Sequence, residues 1–245
     1  MDRIAIFAAL RWECQPPLRF LRHVSKRRLG TLTLWQGQAR RAEIWLIKTG
    51  MGMERADHAA RLALDAGRFD LLMSTGCAGA LAPQLTAGEL VIASELIDRT
   101  TGHRYPTDAG TRAAAEAAAR RAAVPVVSQP SLCSAQMLAS VADRRALLAQ
   151  TGAVAVDMEG AAIAAYAAAV SIPFASVRAI LDTADVDLDT TTPFIDPQTG
   201  AVKPLALAAT LVRHPGLVPR LVSMQSMMSA AQRSLNQFFA AWLNP

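Results

Sequence analysis

A chain of 245 residues has room for one large domain or two small ones, and for an ample core. Its 52% hydrophobic content owes much to alanine, and the longest apolar run, residues 161–177, is broken by Ser171 and Pro173, which excludes a spanning helix there. Residues 1–50 hold 10 Lys+Arg against 3 Asp+Glu (net +7) while the remainder holds 15 against 17 (net −2), but with 5% aromatic content and no aromatic-interleaved basic motif the basic end is not read as a nucleic-acid face.

In chain order, the apolar pattern predicts a first strand over residues 3–10 and a hairpin pairing 29–35 with 43–48. A helix follows at 54–66, then strands at 71–75 and 89–97. Residues 111–123 read as helix, 124–128 as extended and 139–150 as helix. Strand 153–156, helix 159–170 and strand 174–180 complete the alternation. Strands alternating with Ala-rich helices, without repeat or long polar linker, predict a single α/β domain. Residues 185–200, rich in Asp, Thr and Pro, read as a long loop that suits a lid. Residues 205–213 look helical up to the break at His214-Pro215-Gly216. A final helix then carries a 4-3-4-3-4-3-4 apolar stripe of Leu217, Leu221, Met224, Met228, Ala231, Leu235, Phe238 and Trp242. Such a stripe covers the domain's own core, or else a subunit or membrane surface.

Chemistry collects at the strand ends. Ala8-Ala9-Leu10-Arg11-Trp12-Glu13 closes the first strand. Lys48-Thr49-Gly50-Met51-Gly52 and Ser74-Thr75-Gly76-Cys77-Ala78-Gly79 are glycine-rich turns after later strands. Val156-Asp157-Met158-Glu159-Gly160 sits at a strand-to-helix seam, and Val177-Arg178-Ala179-Ile180-Leu181-Asp182 ends another strand. Ligands of open α/β sheets bind outside the carboxyl ends of strands, so one cleft can gather these groups. Cys14, Cys77 and Cys133 have neither metal-ligand spacing nor a disulfide pattern, which suits a reducing compartment. No charged leader precedes the first strand, so a cytoplasmic protein is expected.

As an ordered set, residues 74–81 (STGCAGAL), 156–164 (VDMEGAAIA) and 177–185 (VRAILDTAD) resemble the purine nucleoside phosphorylase and nucleosidase superfamily, on its methylthioadenosine/adenosylhomocysteine nucleosidase side. The resemblance covers about residues 3–185. It implies a three-layer α/β/α sandwich around a mixed sheet, with residues 186–245 as loop and C-terminal helical extension, in a homodimer or larger homo-oligomer. It implies a metal-free, cofactor-free hydrolase of purine nucleosides. Asp182 matches the acid that protonates the departing base, Glu159 the acceptor of the ribose hydroxyls, and Glu13 the base that activates water. Met158 would pack on the ribose, and Ala78 and Gly79, beside Cys77, would bring backbone close to the sugar. Phosphorylases instead hold phosphate with arginines and glycines. Arg11 is a candidate for that role, but Met73, not a cation, precedes the glycine-rich turn, and Glu13 would repel phosphate.

Three departures stand out. Leu181 occupies a place where relatives carry Ser or Thr beside the acid, leaving Thr183 or backbone to support Asp182. Cys133-Ser134-Ala135 lacks the acid of the family's SGD-like segment. Cys77, without a partner among His23, His58, His103 and His214, reads as a small turn residue rather than a nucleophile. Asp157 reads as a helix-start residue. The segment from Phe194-Ile195-Asp196-Pro197 to His214-Pro215-Gly216, with the helix after it, lies beyond the compact nucleosidases and resembles the hopanoid-associated branch, the adenosylhopane nucleosidases. That branch implies a lipid-linked adenosine and peripheral contact at the inner membrane surface. Met224, Met227 and Met228 fit such a surface, and fit ordinary packing as well.

Overall fold

The computed structural model describes residues 2–138, 140–186 and 218–244. Strand β1 (Asp2–Ala8) leads into a short helix α1 (Arg11–Leu18), followed by a meander of β2 (Arg22–Leu29), β3 (Leu32–Ala39) and β4 (Ala42–Lys48). Helix α2 (Met53–Ala66) precedes β5 (Leu71–Ala80). Then come β6 (Leu90–Ile92), β7 (Glu95–Asp98), β8 (Arg104–Pro106), α3 (Ala109–Arg121), β9 (Val126–Val127) and β10 (Ser131–Cys133). Helix α4 (Val141–Thr151), β11 (Ala155–Asp157), α5 (Gly160–Ala169), β12 (Phe174–Asp182) and α6 (Val218–Leu243) complete the described elements.

All twelve strands join one mixed sheet, along the path β2-β3-β4-β1-β5-β11-β10-β7-β8, with β12, β6 and β9 branching from β5. The branch point is β5 itself. Its first half pairs with β1 (Ile4↔Leu71 to Ala8↔Thr75), its whole length runs parallel to β12, and its last residues turn antiparallel onto β11 (Val156↔Gly79). The change of partner falls at Gly76, whose φ of +141° is a backbone setting that side chains rarely tolerate.

Two apolar layers sandwich the sheet. On one face, Ile6, Met73, Val177 and Ala179 pack with Cys14 of α1, Ala115 and Ala118 of α3, and Leu235, Phe238 and Phe239 of α6. On the other, Phe7, Ile47 and Leu72 pack with the alanines of α2 and α5. The expected α/β/α sandwich is therefore present, with the last helix as part of one outer layer.

Several expectations need correction. Residues 89–97 form two strands, not one: β6 pairs with β12, and β7 with β10. The hairpin is a three-stranded meander, because residues 22–29 also form a strand. That strand escapes an apolar pattern because Arg22, His23, Lys26, Arg27 and Arg28 are exposed along the sheet's edge, where cations block unwanted strand pairing. Helix α1 is formed in spite of Pro16 and Pro17, which lie in its second turn. Residues 131–133 are a further unpredicted strand, and β5 and β12 run further than their apolar cores. Of the α6 stripe, Ala231, Leu235 and Phe238 are buried while Met228 is 42% exposed. Leu217 and the side chain of Leu221 lie outside the described residues, as do residues 187–217, and with them most of the expected lid, the 205–213 helix and the His214-Pro215-Gly216 break. No described helix is long and apolar enough to cross a membrane.

Candidate active site

Each candidate carboxylate is placed by a local rule of the chain. Glu13 is the third residue of α1, and its Oε2 accepts the N–H of Leu10 at 2.8 Å, half of a capping box. Its other oxygen reaches across to β5 and accepts the N–H of Cys77 at 2.9 Å. Glu159 stands at the start of α5, with Oε1 accepting the N–H of Gly52 at 2.8 Å. Gly52, at φ +98°, thereby ties the glycine-rich turn after β4 to the start of α5. Asp182 ends β12, where an irregularity at Leu181 moves the register so that Asp182 lies opposite Gly79. All three acids are buried: Glu13 is 4% exposed, Glu159 7% and Asp182 8%.

Glycines of β5 make room for two of them. A methyl at Gly76 would stand 2.6 Å from Glu13 Oε1, and one at Gly79 would stand 2.9 Å from Asp182 Oδ2. The two glycines lie three residues apart on β5, roughly 10 Å from one another at the usual rise. Cys77 and Gly79 are partly exposed, Cys77 packing against the edge of the α6-side core. The Ala78 side chain is buried in an apolar cluster with Val91 and Ile180, so only its backbone can face a ligand. Met158 is partly exposed at the seam between β11 and α5.

Two buried arginines complete the site, and neither was anticipated. Arg178 of β12 donates from Nε to Asp157 Oδ2 at 2.9 Å, from Nη1 to the Thr75 carbonyl at 2.8 Å and from Nη2 to Ser74 Oγ at 2.6 Å. Its Nη2 lies 4.0 Å from Glu159 Oε2. Asp157 also accepts the N–H groups of Glu159 and Gly160, so it is a helix-start residue as expected and, in addition, the anchor of Arg178. Arg144 of α4 forms an ion pair with Asp182. The sequence did hold one signal for Arg178: a lone cation between apolar neighbours of a buried strand needs a buried partner. Arg144, in an Asp-Arg-Arg run on a helix, looks like any solvated face.

The support expected for Asp182 differs accordingly. Leu181 points to the opposite face of β12 and packs against the α6 layer, and the Thr183 hydroxyl donates to Asp185. Arg144 takes that place.

Electrostatically the cleft is short of cations. Glu13, Asp157 and Glu159 all act on the single guanidinium of Arg178. Burial pushes the Glu159 carboxyl up to about 7, with Arg178 pulling the other way and Asp157 adding to the rise. Burial likewise raises Glu13 against the pull of Arg178 and the backbone N–H groups, and raises Asp182 against the pull of Arg144. The Cys77 thiol is held well above its usual range by burial and by Glu13, which keeps it protonated. The three acids therefore differ from ordinary surface carboxyls in the same direction: Glu13 and Asp182 are raised by burial, and Glu159, between the glycine turn and Arg178, is raised to about 7.

Comparison with known proteins agrees with this architecture. The family model of the phosphorylase superfamily matches residues 3–214. The 5′-methylthioadenosine/S-adenosylhomocysteine nucleosidase of Neisseria meningitidis, solved with methylthio-immucillin-A, superposes with a TM-score of 0.79 at 19% identity, over 99% of this chain and 98% of that one. The S-adenosylhomocysteine nucleosidase of Streptococcus pyogenes, in complex with 5-methylthiotubericidin, gives 0.78 at 19% identity, over 99% and 96%. A futalosine hydrolase mutant of Helicobacter pylori gives 0.68 at 21% identity, over 74% and 89%. The first two alignments take in the C-terminal helix, which was expected to lie beyond the compact nucleosidases.

Proposed function

Since the chain belongs to the phosphorylase superfamily, we propose that it is a hydrolase of purine nucleosides, releasing adenine from a 5′-substituted adenosine. The observation that carries water rather than phosphate as nucleophile is the excess of carboxylate in the cleft: three buried acids share the one guanidinium of Arg178. A phosphate dianion brought beside them would add charge in a poorly screened place, and the buried cations among the described residues, Arg178 and Arg144, are already committed to carboxylate, hydroxyl and carbonyl oxygens. Met73, before the glycine-rich turn, is buried in the core and offers no cation. Arg11, exposed at the start of α1, is the feature that favours the alternative, a phosphate-dependent phosphorylase.

In this reading Asp182 gives its proton to the imidazole ring of the purine as the N-ribosidic bond breaks and its electron pair enters the base. Neutralising a poor leaving group in this way supplies about 3–5 kcal/mol in typical acid catalysis. Glu159 accepts hydrogen bonds from the ribose hydroxyls, and its charge lies where the sugar becomes cationic. Glu13, held by two backbone N–H groups, takes a proton from the water that attacks the sugar. Met158, Cys77, Gly79 and the backbone of Ala78 line the sugar.

The 5′ substituent we assign is the polycyclic lipid of adenosylhopane. Support for it comes from the tail sequence of residues 194–216 and from the exposed Met228 beside half-buried Met227 on α6. Helix α6 by itself does not favour the lipid, because the methylthioadenosine nucleosidase alignments extend over it. A homo-oligomer and peripheral contact with a membrane surface belong to the same proposal, and light scattering and vesicle co-sedimentation test them.

The deciding experiment incubates purified protein with methylthioadenosine, adenosylhomocysteine, inosine and adenosylhopane, each with and without phosphate. Adenine released without phosphate, from the hopanoid alone, is the expected result. Release from methylthioadenosine or adenosylhomocysteine replaces the lipid assignment. Ribose 1-phosphate as product overturns hydrolysis, and no free base from any nucleoside overturns the enzyme reading.

A further inference from the structure

Asp182 has a partner whose geometry is more restrictive than a simple counter-ion needs. Arg144 is 1% exposed and fixed from three sides: Nη1 donates to the Ala80 carbonyl at 3.1 Å and to that of Thr183 at 3.3 Å, and Nη2 to that of Leu138 at 3.0 Å. These carbonyls belong to the end of β5, the residue after β12 and the loop before α4, so the guanidinium cannot swing without breaking contacts to all three. The same Nη1 pairs with Oδ2 of Asp182. That oxygen is wholly buried and takes no hydrogen bond from the described residues, its contact with Nη1 being an ion pair, whereas the Asp182 side chain keeps 12% exposure, so the oxygen left to meet a ligand is Oδ1. Gly79 is what lets the pair lie against β5, since a methyl there would stand 2.9 Å from Asp182 Oδ2 and 3.3 Å from Arg144 Nη1.

Resting on the hydrolase reading above, we propose that Arg144 is a positioning residue for the acid: it occupies Oδ2 and so confines the transferable proton of Asp182 to Oδ1, on the cleft side. A carboxylic acid carries its proton on either oxygen, and a proton on Oδ2 would point at a guanidinium and away from any base. With Arg144 in place that arrangement is excluded, because a guanidinium has only donors. When the proton passes from Oδ1 to the purine and the N-ribosidic electron pair enters the base, the carboxylate left behind is held by a charge already in position. No side chain has to reorganise at that moment. Among the described residues, the groups facing Asp182 are Arg144 from α4 and Cys77 from β5. On its own strand Arg178 is committed to Asp157, and beyond the strand end Asp185 is held by the Thr183 hydroxyl.

The test is the pH dependence of adenine release in Arg144→Gln. The acid must be protonated, so activity falls as pH rises through its titration. Arg144 favours the carboxylate, and its removal moves the alkaline limb of the kcat profile upward by about one to two pH units. Plateau kcat falls about tenfold or more at little-changed KM. A uniform loss at every pH, with the limb in place, is what a purely structural arginine gives, and overturns the proposal. If Arg144→Gln does not fold, Arg144→Lys carries the test, because an ammonium keeps the charge but cannot span three carbonyls and Oδ2. It is expected to lose about tenfold or more on the purine nucleoside and little on a para-nitrophenyl riboside, whose leaving group departs unprotonated; equal losses on both overturn the assignment. A wild-type protein that releases no base from any nucleoside overturns the hydrolase reading instead, and so separates the two failures.

Discussion

Arg178 Nε donates to Asp157 Oδ2 at 2.9 Å, and both side chains are almost wholly withdrawn from water. The pair links β12 to the start of α5 and thereby sets where Glu159 stands. Breaking a buried pair by removing one partner leaves the other charged and unpaired, typically at 3–5 kcal/mol. Asp157→Ala is therefore expected to lower the melting temperature by about 10 °C in a domain of this size. Calorimetry of the purified variant checks this, and a loss under about 1 kcal/mol would show the pair to be unimportant for stability.

Glu159 links function and stability with opposite signs. Its folded-state carboxyl is raised to about 7 from an ordinary value of 4.5, so between those values the folded state binds more protons than the unfolded chain. Stability consequently falls as pH rises through that window, by on the order of 3 kcal/mol for this group. Glu159→Gln keeps an acceptor for the Gly52 N–H and removes the titration. It should melt higher than wild type at pH 8 and about equally at pH 4, while losing ribose binding. Thermal melts of both proteins at both pH values decide it.

Replacement of the proposed acid separates folding from chemistry. Asp182→Asn can still accept from Arg144 through its amide oxygen, so the fold is expected to persist. Loss of proton donation should lower kcat by about a hundredfold or more. Burial also places the wild-type alkaline limb above the ordinary carboxylate range, since Asp182 is raised more by desolvation than Arg144 lowers it. Full activity of Asp182→Asn would remove this residue from the mechanism.

Two glycines with positive φ are expected to respond differently to alanine. At Gly76 (φ +141°) a methyl meets Glu13 Oε1 at 2.6 Å and Arg178 Nη1 at 2.8 Å, whereas at Gly52 (φ +98°) nothing lies within 4 Å. Gly52→Ala should carry backbone strain alone, about 1–2 kcal/mol. Gly76→Ala adds the displacement of two catalytic-cleft side chains and should abolish turnover. Comparable activity in the two variants would contradict the close approach at Gly76.

Much of this site was legible in the sequence because its acids occur where an apolar strand gives way to glycine or helix. Glu13, Glu159 and Asp182 each sit at such a seam; the structure sets Glu13 and Asp182 against β5, at Cys77 and Gly79, and Glu159 near Arg178, which is bonded to the same strand. The α/β alternation was readable for the same reason, since buried parallel strands are continuous apolar runs. Other features were hidden by long-range pairing. Whether residues 89–97 are one strand or two depends on β12 and β10, which lie far along the chain. The basic β2 has no apolar period because it is an edge. Arg144 is on a helix with no polar-face anomaly, and only the meeting of α4 with the ends of β5 and β12 makes it a partner of the acid.

The position of α6 in the outer layer bears on how the chain can reach its native state. Ile6 and Ala8 of β1 share a core cluster with Leu235, Phe238 and Phe239 of α6, more than two hundred residues further along the chain. Until α6 arrives, the face of the sheet that carries β1, β5 and β12 has an uncovered apolar strip, and closing it joins segments at great sequence separation. Such non-local closure is slow compared with helix or hairpin formation. A nascent chain thus holds this surface of its sheet unfinished until α6 has been made, and transiently exposed apolar surface of that kind is where folding chains associate wrongly.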